Sequence, residues 1–174
     1  MSSLERLWAG WRGDYMQSVT GKPPSHEVGD CVFCEILASG KPDDETHIIW
    51  RDPAGVAIAI LNAYPYTSGH LMVMPTRHVA DLERLEPAET AALWATLSSA
   101  VVALKAAYGP DGINIGANLG KSAGAGVPGH FHMHAVPRWN GDTNFMPVIA
   151  DIKVMPDHLD NVYHQLKNAL ATLK

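Results

Sequence analysis

His130-Phe-His-Met-His-Ala-Val-Pro-Arg138 is the stretch on which the reading of this chain turns. Laid out as a strand, it sends His130, His132 and His134 to one face and Phe131, Met133 and Ala135 to the other, because successive side chains alternate. At about 3.3 Å per residue, neighbouring members of the trio stand roughly 6.6 Å apart, within reach of one substrate but beyond direct hydrogen bonding. Nine histidines in 174 residues make three at strict alternation an improbable accident. A single histidine there would read as a satisfied polar neighbour of the core. Three in register read as chemistry.

Two chemistries fit such a row. Neutral imidazoles at alternate strand positions can share a metal ion. Alternatively, one imidazole attacks a phosphorus centre while its neighbours orient it and protonate the leaving group. The run just upstream, Gly120-Lys-Ser-Ala-Gly-Ala-Gly-Val-Pro-Gly129, favours the second. Its glycines allow tight turns that aim backbone N–H groups at an anion, which a metal-binding strand does not need.

Composition bounds the rest. A chain of 174 residues, 47% hydrophobic and 18% charged, suits a single domain with a real core. We divide it into an N-terminal extension and mobile loop (1–30), a core (31–149) and a C-terminal helical segment (150–174). The net charge of −5 lacks the basic footprint that nucleic acid demands. A nucleotide-sized anion can still be held by backbone amides and a few polar groups. No apolar run is expected to span a membrane, and the start lacks a basic-then-apolar signal pattern, so the expected location is the cytoplasm.

Both cysteines fall in Cys31-Val-Phe-Cys34. On spacing alone they could be a redox pair, two buried thiols or half of a four-ligand zinc site. Downstream, 46–50 and 56–61 read as two strands of a hairpin, and Leu71-Met-Val-Met-Pro75 as a central strand covered on both faces. Pro87 opens a helix running to Tyr108, with Leu93, Trp94, Leu97, Val101 and Leu104 at helical spacing as core or dimer surface. Ile113 to Leu119 reads as a further strand. Residues 156 to 173 read as an amphipathic helix with Leu159, Val162, Leu166, Leu170 and Leu173 on one side and His158 and His164 toward solvent. This order of elements implies an α+β domain.

The triad stretch resembles the signature of the histidine-triad family: His, apolar, His, apolar, His, apolar, apolar. Gly69-His70-Leu-Met-Val-Met-Pro-Thr-Arg-His78 is similar to a second element of that family. The opening Leu7-Trp-Ala-Gly-Trp-Arg-Gly-Asp-Tyr15, the Ala-Gly-Ala-Gly loop and Pro137-Arg-Trp-Asn-Gly-Asp-Thr-Asn-Phe-Met146 resemble its bacterial diadenosine tetraphosphate phosphorylase and hydrolase branch. The resemblance implies an antiparallel half-barrel, dimerising through the long helix and a strand. It implies His132 as nucleophile forming a nucleotidyl-histidine, supported by His134 and His70. It implies Asn62 at the ribose hydroxyls, although Asn62 also reads as a turn residue. Asn118 and the loop residues Gly124, Ala125, Gly126 and Val127 are implied around the α-phosphate and sugar.

The resemblance also completes the metal set: Cys31, Cys34, His78 and His130 would hold a structural zinc. A closed four-ligand ion has no open position for water, so no catalytic role attaches to it. The chain departs from the common family pattern in its loop. Where many members have Gly-Gln-Ser/Thr-Val, Gly124-Ala-Gly-Val-Pro-Gly129 offers neither polar side chain, which shifts phosphate binding toward backbone amides. The implied activity is cleavage of dinucleoside polyphosphates with phosphate or water as acceptor. A nucleoside phosphoramidase, or a zinc-stabilised nucleotide-binding protein without catalysis, are the alternatives.

Overall fold

Residues 28–142 and 157–172 are described by the computed structural model. The aromatic opening, most of the 18–30 loop, residues 143–156 and Leu173 lie outside them. In chain order the regular elements are α1 (Val32–Ala38), α2 (Asp43–Thr46), β1 (Ile48–Arg51), β2 (Ala57–Leu61), β3 (Leu71–Pro75), α3 (Pro87–Tyr108), β4 (Gly112–Ala117), β5 (Met133–Arg138) and α4 (Leu159–Thr172). The strands form one antiparallel sheet in the order β1-β2-β3-β5-β4. This is the expected α+β arrangement of an antiparallel sheet with one long helix and a C-terminal helix.

The two central strands show why their sequences are almost wholly apolar. Every residue of β2 and β3 is buried, because both faces are covered. Ala57, Ala59, Leu61, Leu71 and Val73 face α3 and α4, joining Leu93, Leu97, Leu104, Val162 and Leu166 in the main core. The intervening Ile58, Ile60, Met72 and Met74 face the opposite way, onto Cys31 and Phe33 at the start of α1. Burial of each such side chain contributes roughly 1.5–3 kcal/mol. The second layer therefore packs the cysteine-bearing segment against the sheet.

Four expectations shift. The strand bearing the triad begins only at Met133, so His134 alone lies in the ladder. Before it, the Phe131 N–H donates to the Val79 carbonyl at 2.6 Å, since the pairing of β3 with β5 stops at Val73 and Met133 and the Pro75 carbonyl is taken by His130 Nε2. The alternation nevertheless persists, with Phe131, Met133 and Ala135 on the main core. Residues Asp43–Thr46, which overlap the expected first strand, close a helical turn. Trp94 does not share the buried stripe of Leu93, Leu97 and Leu104; it is 56% exposed. Finally, α3 is long and apolar enough to pass, by length and composition, for a membrane span, contrary to the expectation that no run is. Its Leu93, Leu97, Ala100 and Leu104 are committed to the sheet instead.

Candidate active site and metal centre

The metal quartet comes from three places in the fold. Cys31 precedes α1 as its N-cap residue and makes no capping bond with its side chain, while Cys34 lies one turn on. His78 follows β3, and His130 closes the glycine-rich loop. Their four donor atoms lie within 4.8 Å of one another. Cys31 Sγ is 3.4 Å from His130 Nδ1, Cys34 Sγ is 3.2 Å from His78 Nδ1, and Cys34 Sγ is 3.6 Å from His130 Nδ1. A tetrahedral ion with ordinary Zn–S and Zn–N bonds sets its ligands roughly 3.3–3.8 Å apart, so the quartet fits one.

The tautomer of His130 supports the same reading. Its Nε2–H donates to the Pro75 carbonyl at 2.9 Å, which leaves the Nδ1 lone pair directed at the thiols. Burial, then the hydrogen bond and charge of Cys31, push the Cys34 thiol up to about 11. A cation held by the quartet would supply the positive charge that favours the Cys34 thiolate.

His132 stands apart from that quartet. Its ring is 5% exposed, and Nδ1–H donates to the His130 carbonyl at 2.8 Å. With Nδ1 carrying the proton, Nε2 holds a lone pair, as attack on phosphorus requires. Burial lowers the His132 pKa from its ordinary 6.5, a fall that the bond to the His130 carbonyl partly opposes. The ring is therefore neutral at pH 7.

His134 is fixed from the other side. The Tyr66 N–H donates to His70 Nδ1 at 3.0 Å, so neutral His70 carries its proton on Nε2 and donates it to His134 Nδ1 at 2.9 Å. His134 must then keep its own proton on Nε2. Two adjacent imidazoles, 5.0 Å apart between centroids, thus hold opposite tautomers. One presents a lone pair and the other an N–H, the pairing that nucleophilic attack beside a charged phosphate calls for.

The remaining candidates are placed as follows. Asn62 Oδ1 accepts the Tyr64 N–H at 2.9 Å, which makes it the turn residue of the alternative reading, while its amide Nδ2 lies 3.4 Å from His70 Nδ1. Asn118 Nδ2 donates to the Gly124 carbonyl at 3.4 Å, tying the end of β4 to the loop. Within the loop, the N–H groups of Gly124 and Ala125 are spent on the carbonyls of Lys121 and Gly120, at 2.9 and 3.3 Å. Gly124 does this with φ at +93°, a conformation that favours glycine. The N–H groups of Gly126 and Val127 donate to no other described residue, which leaves them the loop amides that could meet an anion. A separate cleft of about 210 Å³, lined by Leu61, Pro65, Ser68, His70, Asp157 and Leu159 among others, does not include His132 or His134.

Two aromatic residues at the site carried no signal in the sequence. Tyr66 lies 4.5 Å from the His70 ring and stacks on His134 at 6.0 Å. Phe33 sets its ring against both His130 and His132, at 5.5 and 5.3 Å. Only the spacing of Phe33 between the two cysteines could have singled it out.

Comparison with known proteins agrees with this geometry. The family model described as HIT domain matches residues 41–141. The chain is 40% identical over 158 residues to the AP-4-A phosphorylase of Mycobacterium tuberculosis strain H37Rv, covering 90% of this chain and 79% of that protein. Among solved structures, a Zn-bound histidine triad family protein from Mycobacterium smegmatis superimposes with a TM-score of 0.68 at 32% identity, over 84% of this chain and 97% of the other. A hypothetical histidine triad nucleotide-binding protein from Sulfolobus tokodaii gives 0.67 at 26% identity, over 83% and 94%. The sheet order, the tautomer-locked histidines and these matches converge: the chain belongs to the HIT domain, or histidine-triad, family.

Proposed function

We propose that this protein is a dinucleoside-polyphosphate phosphorylase that works through a nucleotidyl-histidine, with diadenosine tetraphosphate as its preferred substrate class. The observation that carries this reading is the His132 ring: outside the metal quartet, neutral and with its Nε2 lone pair kept available by the His130 carbonyl on Nδ1. The 40% identity to an AP-4-A phosphorylase supports the substrate and the acceptor.

The α-phosphate rests on the Gly126 and Val127 amides, with Asn62 and Asn118 toward the ribose. His132 Nε2 forms a bond to the α-phosphorus while the bond to the bridging oxygen breaks, releasing ATP from diadenosine tetraphosphate. His134 Nε2–H stabilises the departing oxygen, and His70 holds His134 in that role. Inorganic phosphate then attacks the same phosphorus, the P–N bond breaks, and ADP leaves with His132 restored. Cys31, Cys34, His78 and His130 would hold a zinc ion, which would tie α1 to the His130 end of the loop. We place the protein in the cytoplasm, where such thiols stay reduced, and assign it no nucleic-acid or membrane partner.

Incubation with diadenosine tetraphosphate, with and without phosphate, tests the reading by mass analysis of the products. ADP plus ATP formed only with phosphate is the expected result. AMP plus ATP in its absence would make the enzyme a hydrolase, and no cleavage at all would overturn the assignment.

A further inference from the structure

His130 of the metal quartet and His132 are two residues apart, and they share more than proximity in sequence. Of the contacts that orient the His132 ring, one comes from the backbone of a metal ligand, the His130 carbonyl 2.8 Å from Nδ1. A second comes from Phe33, which lies between the two cysteine ligands and is 5% exposed. Its ring meets His132 at 5.3 Å and 65°, and His130 at 5.5 Å and 85°, both edge-to-face. Phe33 thus touches one metal-binding imidazole and the reactive one at once.

What holds Phe33 there is tertiary. The seven-residue α1 is too short to be stable alone, and its N-cap side chain makes no capping bond. The helix is fixed by the apolar layer beneath it and by Cys31 and Cys34 on either side of Phe33. Releasing the sulfurs would free the helix start and with it the ring. A single hydrogen bond to a carbonyl leaves an imidazole able to rock about Cβ–Cγ, and a flip would exchange Nδ1 with Cδ2 and Nε2 with Cε1, breaking the bond to the His130 carbonyl and turning a C–H to where the lone pair stood. An aromatic edge against the ring blocks that motion.

We propose that Phe33 is a positioning residue, braced by the metal ligands that flank it, which holds the His132 imidazole in the rotamer and tautomer from which Nε2 attacks. The metal centre then serves the chemistry through this chain's own side chain, while remaining closed to substrate. The proposal rests on His132 being the nucleophile.

Phe33→Leu tests it, because leucine keeps most of the apolar volume and removes the ring edge. The variant should hold one zinc per chain and keep the parent circular dichroism. Single-turnover formation of the nucleotidyl-enzyme at saturating diadenosine tetraphosphate should slow by about 10–100-fold, the scale set by small misplacements of a reacting group, with KM within about threefold. In ¹⁵N-histidine spectra, the His132 signals should move from the pure Nδ1–H form toward a mixture of tautomers. Unchanged rate with unchanged spectra would overturn the proposal, as would a loss confined to KM, which would make Phe33 a substrate contact instead. Should the variant lose its metal or unfold, the parent stripped by a chelator and kept folded gives the same spectrum to read. A His132 that stays a single tautomer without the metal ends the idea. These spectra need no substrate, so a parent that forms no covalent intermediate would refute the proposed function and still leave the brace decided.

Discussion

At the residue scale the active site is a statement about two protons. The His130 carbonyl keeps one on His132 Nδ1, and the Tyr66 N–H, acting through His70, keeps another on His134 Nε2. In the proposed mechanism His132→Ala removes the attacking atom while leaving the quartet intact, and we expect turnover to fall by more than about 10³-fold, with nucleotide binding retained. His70→Phe removes the donor to His134 Nδ1 and should cost about 10²-fold in the rate of nucleotidyl-enzyme formation, read by quenched-flow. The pH profile has a definite sign. His132 must be neutral to attack, and burial lowers its pKa below the ordinary 6.5, so the acid limb of activity falls below that value. A limb centred above pH 6.5 would contradict the buried, neutral ring.

At the element scale, the start of α3 is the joint that sets the position of His78. Glu89, 5% exposed, accepts from the Glu86 N–H in a capping box and takes a two-point ion pair from Arg77, at 2.8 and 2.7 Å. Arg77 directly precedes His78, so the helix cap and the metal ligand share one anchor. Glu89→Ala loses the cap; that loss alone is about 1 kcal/mol, or roughly 2–4 °C in Tm, measured by thermal unfolding. The pH dependence follows from the Arg77 hydrogen bond, which holds the Glu89 carboxyl below its ordinary 4.5. The stabilisation is complete above that ordinary value and is lost as pH falls through the lowered one, so parent and Glu89→Gln should converge in Tm at acid pH. A second joint is Gly69, with φ at +81°, where an added Cβ would come within 3.0 Å of Tyr108 and 3.1 Å of Leu104. The alternation of 130–135, the apolar β3 and the extent of α3 could be read directly from the chain, since period and capping are local. The His70–His134 bond joins residues 64 apart, and the Phe33 contact depends on where α1 docks. No local pattern encodes either. The loop was legible as a run of glycine-borne turns, but not which amides those turns would consume.

At the scale of the whole molecule, α3 poses a packing problem that the described residues of one copy do not solve. Its inward face carries Leu93, Leu97, Ala100 and Leu104, yet its outward face, Ala91, Trp94, Ala95, Ser98 and Val102, is exposed and nearly free of charge. A helix apolar all round belongs in an interior. Beside it, β4 is an edge strand with its outer N–H and C=O groups unpaired by any strand among the described residues. On β4, Ile113 packs on the main core, and Ile115, two residues on and therefore on the same face, is 47% exposed. Trp94 and Ile115 are thus two exposed apolar side chains on the side of the sheet that α3 occupies. A second copy related by a two-fold axis would lay α3 against α3 and join β4 to β4, continuing the sheet across the interface with the same patch used twice. We expect a homodimer in sedimentation velocity. Trp94→Glu combined with Ile115→Lys should shift it to monomer, because each copy would then bury like charges against like at its centre. The triad and the metal quartet contain neither residue, so zinc content should be unchanged in the monomer. A parent that sediments as a monomer at micromolar concentration would leave the apolar face of α3 without this explanation.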